Sequence, residues 1–361
     1  MGTDVAAQLR VIRKGQRTTF RAAGEILGHD SVHAEQAAGW IPDRSLLLSR
    51  KWSPATMAAL NVAAQAIADA AWSAADRKHA GLVVGTSRGG AAGWLSPWPQ
   101  RRPFRQMAAS NSIHSEPASA ISIEFGITGP NHVIASGCAA GLDAAGIAMM
   151  MLRAGIIKRA LVVAVDLPLV PQLMDGYRSS GILSQMKRLD PYAKSTDGLI
   201  PAEAAAALTL ELESDGHPSL LHYSSNADAT DPLGMPADGG RTPELFEKCS
   251  FDPVAICPHA TGTPTQAIAD PRLFERSFLN KKPSLHLLKP YVGHAIGASG
   301  LIESVILAAF MRHGLLPPND PELSHPGNFV LPTSPMPVTG PVVKISHGMG
   351  GHNSILAITP P

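Results

Sequence analysis

One segment narrows the possible folds more than any other. His132-Val133-Ile134-Ala135-Ser136-Gly137 has the apolar, β-branched character of a strand, and the small-residue run at 139–148 that follows has the character of a helix, with Cys138 at the junction. At a strand-to-helix junction the unpaired backbone N–H groups of the first helical turn and the positive end of the helix dipole stabilise an anion. A thiol placed there is expected to favour its thiolate at neutral pH, which makes Cys138 a candidate nucleophile. The plainer reading is a small buried hydrophobe, the usual fate of a free cysteine.

Two later segments repeat the pattern. Residues 254–264 read as a buried strand running into a polar turn that carries His259, and residues 285–300 as a strand followed by a Gly-rich turn with Lys289 and His294, then a helix to about residue 313. One cysteine and two histidines thus fall at the ends of three predicted strands, and in an α/β sheet groups at one set of strand ends converge on a single crevice. Elsewhere an Ala-rich helix is expected at 54–72, a buried strand at 81–84, a helix at 113–125 and a strand at 161–165. An apolar run ending in charge occupies 202–211, and 342–346 with 354–358 form a hairpin around a glycine turn. The order strand, polar turn, strand, helix, strand occurs around 81–165 and again around 253–346, so two similar halves are expected.

With 361 residues, 45% of them hydrophobic and only 16% charged, the chain can bury a large core, and one compact α/β unit is expected. Three cysteines make no disulfide framework and point to a reducing compartment; Cys249 and Cys257 read as packing residues. Cys257 and His259 have no second pair at zinc spacing, so no metal site is expected. A net charge of +1 gives no reason to expect nucleic acid. Residues 1–20 lack the apolar core of a signal peptide and no apolar run reaches the length of a membrane span, so a soluble cytoplasmic protein with no membrane partner is expected.

Several ordered motifs together resemble the β-ketoacyl synthases, condensing enzymes of the thiolase-like superfamily. Gly137-Cys138-Ala139-Ala140-Gly141 is similar to the family's nucleophile turn, His259-Ala260-Thr261-Gly262-Thr263-Pro264 to its first histidine motif, and residues 289–300 to its Lys-x-x-x-Gly-His-x-x-Gly-Ala-x-Gly motif. Val84-Gly85-Thr86, Asp197-Gly198 with Glu203, Asn226-Ala227-Asp228-Ala229, Pro317-Pro318-Asn319 and Gly348-Met349-Gly350-Gly351-His352-Asn353 extend the likeness over roughly residues 80–358. The resemblance implies an α/β, five-layer αβαβα fold of two similar halves, which we place at 1–212, with Cys138, and 213–361, with His259 and His294. It implies decarboxylative Claisen condensation, in fatty acid or polyketide-type biosynthesis. Cys138 would accept an acyl group from an acyl carrier protein, and His259 and His294 would polarise the carbonyl of a malonyl thioester. The backbone N–H groups of Cys138 and Met349 would form an oxyanion hole, with Lys289 ordering His294 and Glu303 as a buried partner of that network. No metal or other cofactor is required. A homodimer, or a heterodimer with a second ketosynthase-like chain, is implied, and Arg101, Arg102 and Arg105 are either solvated surface or a dock for an acidic carrier protein.

The chain departs from the family pattern in places. His347 and Met349 stand where aromatic residues are usual and His352 where threonine is, so Met349 would make a softer gate to the acyl pocket. Ser136-Gly137 replaces the common Thr-Ala. The opening strand is not recognisable in residues 1–28, with 9–12 its only remnant, and the short stretch between Asp166 and Asp190 suggests a trimmed cap. Two rival readings stay open. Gly85-Thr86-Ser87-Arg88-Gly89 after a strand matches the nucleophile elbow of a serine hydrolase using Ser87. A non-catalytic, chain-length-factor-like partner would explain the altered glycine turn but not the retention of Cys138, His259 and His294. Thiolase proper would need a second catalytic cysteine after Cys257, and the sequence has none.

Overall fold

The computed structural model describes residues 4–90, 95, 110–111, 113–212, 215–279 and 281–361; Arg101, Arg102 and Arg105 lie outside them. We number the strands of the two main sheets and the longer helices in chain order. The first sheet holds β1 (Gly81–Gly85), β2 (Asn131–Ile134), β3 (Arg159–Asp166) and β4 (Ala204–Glu211) in the order β2-β1-β3-β4, with β4 antiparallel to the rest. The second holds β5 (Ser219–Ala227), β6 (Ala255–Cys257), β7 (Ser284–Leu285), β8 (Val342–Gly348) and β9 (His352–Thr359) in the order β7-β6-β8-β9-β5. Here β6, β7 and β8 are parallel, and β9 runs against both β8 and β5. The echo between the halves is therefore a shared strand order. The longer helices are α1 (Val5–Ile12), α2 (Pro54–Asp69), α3 (Glu116–Phe125), α4 (Ala140–Arg153), α5 (Pro171–Ser179), α6 (Pro264–Ser277) and α7 (Ser299–Met311).

Strand alternation builds the layers. On β3, Leu161, Val163 and Val165 face outward onto α2 and α3, whereas Ala160, Val162 and Ala164 face inward onto α4. On β8, Val343 and Ile345 face the outer helix α6, while Val342 lies on the inner side with Ile306 and Phe310 of α7. Helices α4 and α7 thus form a middle layer between two sheets, each of which carries further helices on its outer face. This is a thiolase-like αβαβα arrangement. Small residues let the middle layer close: a Cβ on Gly141 would come within 2.8 Å of Gly297 O, and one on Gly146 within 2.2 Å of the Tyr223 ring. One inner cluster joins Val162 and Leu142 of the first half to Leu301 and Leu356 of the second.

Most expected elements are present with shifted ends, but one expectation fails. Residues 9–12 are no strand remnant: they complete α1, which the Asp4 carboxylate caps by accepting from Ala7 N at 2.7 Å. The first sheet accordingly has four strands where the second has five, and among the described residues no strand pairs with the outer edge of β4, the position that β5 takes beside β9. A groove of about 180 Å³, lined in part by Phe20, Trp40, Val62, Ala204 and Ile302, opens at the start of that edge.

Candidate active site

The chain leaves β2 and turns sharply into α4. Gly137 sits at φ 60°, where a side chain is strained and a Cβ would lie 3.3 Å from Met349 N. Ser136 Oγ reaches forward to donate to Asp143 on the first turn of α4, and Tyr223 and Ser354 donate to the same carboxylate from the second sheet. Cys138, 6% exposed, is fixed between them. His259 leaves the end of β6, and His294 follows the helical turn Lys289–Val292 and Gly293, at φ 75°. Each histidine is followed closely by a non-glycine residue in the left-handed region, Ala260 at φ 43° and Ile296 at φ 46°. For a β-branched residue this is a genuine strain, and such strain collects at functional sites.

These turns bring the three predicted residues together. One ligand atom each from Cys138, His259 and His294 lie within 4.8 Å of one another, and the imidazole centroids are 5.3 Å apart, edge to face. Ser299 Oγ accepts from Ala295 N at 2.8 Å, which leaves its hydrogen free for His294 Nδ1 at 2.9 Å; on this pattern we assign the proton of the neutral ring to Nε2. The direct hydrogen bond on His294 Nδ1 thus comes from Ser299, and the Lys289 charge reaches both imidazoles. Lys289 binds Glu303 Oε1 at 2.7 Å, and Lys344 binds Glu303 Oε2 at 2.9 Å, all three fully buried. Strand alternation puts Lys344 on the inner face of β8, where Pro258 O accepts from it at 3.0 Å.

The electrostatics follow from burial and from this triad. Burial alone pushes the Glu303 carboxyl up, but the two ammonium groups outweigh it and hold it below the usual range. Burial and then the Lys289 charge press both His259 and His294 well below the ordinary imidazole range, so both rings are neutral. Burial pushes the Cys138 thiol up to about 11; Asp166 adds to this, while Lys289, Arg88 and the Met349 N–H oppose it. Burial thus opposes the resting thiolate that the strand-to-helix junction is expected to favour. Met349 is half-buried with its N–H on Cys138 Sγ, and Gly348 admits no side chain, since a Cβ would stand 2.4 Å from Ser136 O.

Sequence reasoning missed Lys344, Ser299 and Asp166. Asp166, at the end of β3, accepts from Ser87 N, Arg88 N and Gly297 N at 2.8–2.9 Å and from Thr86 Oγ1 at 3.1 Å, stapling the loop after β1 to the loop after His294. Spacing carries no sign of it, because its donors are remote in the chain. The third histidine, His347, is 5.5 Å from His259 between rings and is held by Thr242 and Gln266, each at 3.1 Å. Among the described residues no histidine bonds the Ser87 hydroxyl, and Ser87 N is committed to Asp166, so an elbow nucleophile has no base there. The cysteine and two histidines are the one set of donors spaced for a metal ion among the described residues, but the Lys289 and Lys344 charges behind them oppose a cation as they oppose protons.

Fold and site together define a thiolase-like protein built around a cysteine and two neutral histidines. Residues 17–216 match the family model "Beta-ketoacyl synthase, N-terminal domain", and residues 246–321 match "Beta-ketoacyl synthase, C-terminal domain". The chain belongs to the β-ketoacyl synthase family. It is 28% identical over 261 residues to the highly reducing polyketide synthase ALT1 of Alternaria alternata, covering 65% of this chain but only 10% of that protein. It is 26% identical over 317 residues to the chloroplastic 3-oxoacyl-[acyl-carrier-protein] synthase I of Arabidopsis thaliana, covering 79% of this chain and 66% of the relative. Among solved structures, a type II polyketide ketosynthase in complex with its acyl-carrier protein and bound to the hexaketide superposes with a TM-score of 0.83 at 22% identity, covering 99% of this chain and 95% of that one. The ishigamide ketosynthase/chain length factor superposes with a TM-score of 0.80 at 18% identity over the same shares.

Proposed function

We propose that the protein forms carbon–carbon bonds by decarboxylative Claisen condensation in fatty acid or polyketide-type biosynthesis. The observation that carries this reading is the meeting of Cys138, His259 and His294 within 4.8 Å. Cys138 Sγ attacks an acyl thioester, the carrier thiol leaves, and the acyl group rests on the cysteine. The thiol proton leaves as the new C–S bond forms and ends on the departing carrier thiolate, so the exchange is neutral in protons. A malonyl thioester then loses CO₂; the pair of electrons from the broken C–C bond becomes an enolate whose oxygen accepts from His294 Nε2–H and from His259. The enolate carbon attacks the acyl carbonyl, whose oxyanion accepts from the N–H groups of Cys138 and Met349, and collapse expels Sγ. The buried positive field of Lys289 and Lys344 favours each anion in turn.

The partners we infer are acyl carrier protein loaded with acyl and malonyl groups and a second ketosynthase-like chain, identical or not. The exposed edge strand β2 supports the second, since both helices packed on it expose a large apolar side chain, Ile123 on α3 and Met150 on α4. We place the division between the halves in the connector between β4 and β5, and the protein in the reducing cytoplasm that its thiol chemistry needs. Among the described residues no helix is long and apolar enough to cross a membrane. The complete triad counts against a non-catalytic partner subunit.

Mass spectrometry of the intact protein with a reactive acyl thioester tests the reading. One acyl group is expected on the parent protein and on Ser87→Ala, and none on Cys138→Ala. His259→Ala and His294→Ala are expected to retain some acylation while decarboxylation of the malonyl thioester falls about a hundredfold. Labelling of Cys138→Ala, or undiminished decarboxylation in both histidine variants, refutes it.

A further inference from the structure

Resting on that reading, a second group of polar atoms stands beside the nucleophile. Arg88, in the turn after β1, is half-buried, with its guanidinium 5.8 Å from the centroid of the Tyr177 ring. Tyr177, on α5, is 4% exposed and packs in one cluster with Cys138, Met174, Leu169 and Ile296. Apart from the phenol and the thiol, the side chains of that cluster are apolar. The Arg88 guanidinium bears on the Tyr177 hydroxyl as donor on acceptor, which leaves the phenol its hydrogen to give, while Arg88 Nε has no hydrogen-bond partner and no carboxylate forms a salt bridge with the guanidinium among the described residues. Asp166, the acidic group whose charge reaches it, is already occupied by its four donors. Tyr177 shares its cluster with Cys138 and the guanidinium lies over the Tyr177 ring, which sets the pair beside the thiol that would carry the acyl chain. Buried donors left unpaired are costly, and polar groups set into an apolar pocket reject a ligand that cannot satisfy them.

We propose that Arg88 and Tyr177 form a polar subsite for an oxygen on the acyl group held by Cys138. The favoured acceptors carry a carbonyl, hydroxyl or carboxylate beyond the thioester carbonyl, and plain hydrocarbon chains of the same length are poorer. Guanidinium and phenol would donate to that oxygen, and the chain carbons between it and the thioester would lie along Met174 and Leu169.

The test measures rate constants for acylation of Cys138 by simple thioesters of equal length, one series saturated and one bearing a terminal carboxylate or a 3-oxo group. In the parent protein the oxygenated series is expected to react about tenfold faster. Tyr177→Phe, which removes one oxygen and keeps the ring, and Arg88→Met are each expected to reduce that ratio towards one. If Arg88 served only the acidity of Cys138, its loss would slow both series alike and leave the ratio untouched, which overturns the proposal, as does a parent protein that prefers the saturated series. Acylation by neither series removes the condensing reading itself, and the subsite with it.

Discussion

On the proposed reading, a thiol that burial pushes up to about 11 beside two neutral imidazoles loses its proton in the act of attacking rather than before it. The sign of the shift fixes a pH dependence. Below the thiol pKa the thiolate fraction rises tenfold per pH unit, so alkylation of Cys138 by iodoacetamide, which needs no partner, is expected to climb steadily between pH 7 and 10. A plateau already reached at pH 8 would mean that the helix terminus prevails over desolvation after all. At this scale the sequence was legible where function imposes spacing. Cys138, His259 and His294 stand in fixed local motifs, and Lys289 and Glu303 fall at readable distances from His294. Lys344 was hidden because one lysine in a strand of apolar residues carries no sign of the face it takes, and Arg88 and Tyr177 because only the folded chain brings a turn residue and a helix residue to the same thiol.

At the level of elements, the strands and helices were legible wherever burial is complete on both faces, as in Arg159–Asp166, whose side chains pack on both sides of the sheet. The amino-terminal region was not. Its 9–12 stretch is apolar enough for a short strand, yet Asp4 caps a helix there, and the buried faces of Leu9 and Ile12 seat it near α7. Among the described residues, alternate backbone groups of β4 have no strand partner on the outer side, whereas β9 is paired with β8 and β5 along its length. Amide hydrogen exchange is therefore expected to be markedly faster for alternate residues of β4 than anywhere in β9. Equal protection of the two strands would show that the edge is covered in solution.

For the whole molecule, the doubled strand order suggests two modules, but the packing does not divide that way. Val162 and Leu142 share a cluster with Leu301 and Leu356, and Asp166 takes backbone donors from both halves. Neither half could keep its inner face dry alone. A calorimetric scan is accordingly expected to give one endotherm rather than two, and two resolved transitions would show independent halves. The same interlock bears on how such a chain can be cut and rejoined. Opened by protease in the polar connector between β4 and β5, the two fragments would remain a single noncovalent body. Apart, each would present a wide oily plane to water. A split form of this protein would thus report, by bringing Cys138 back beside His259 and His294, that its two pieces had met.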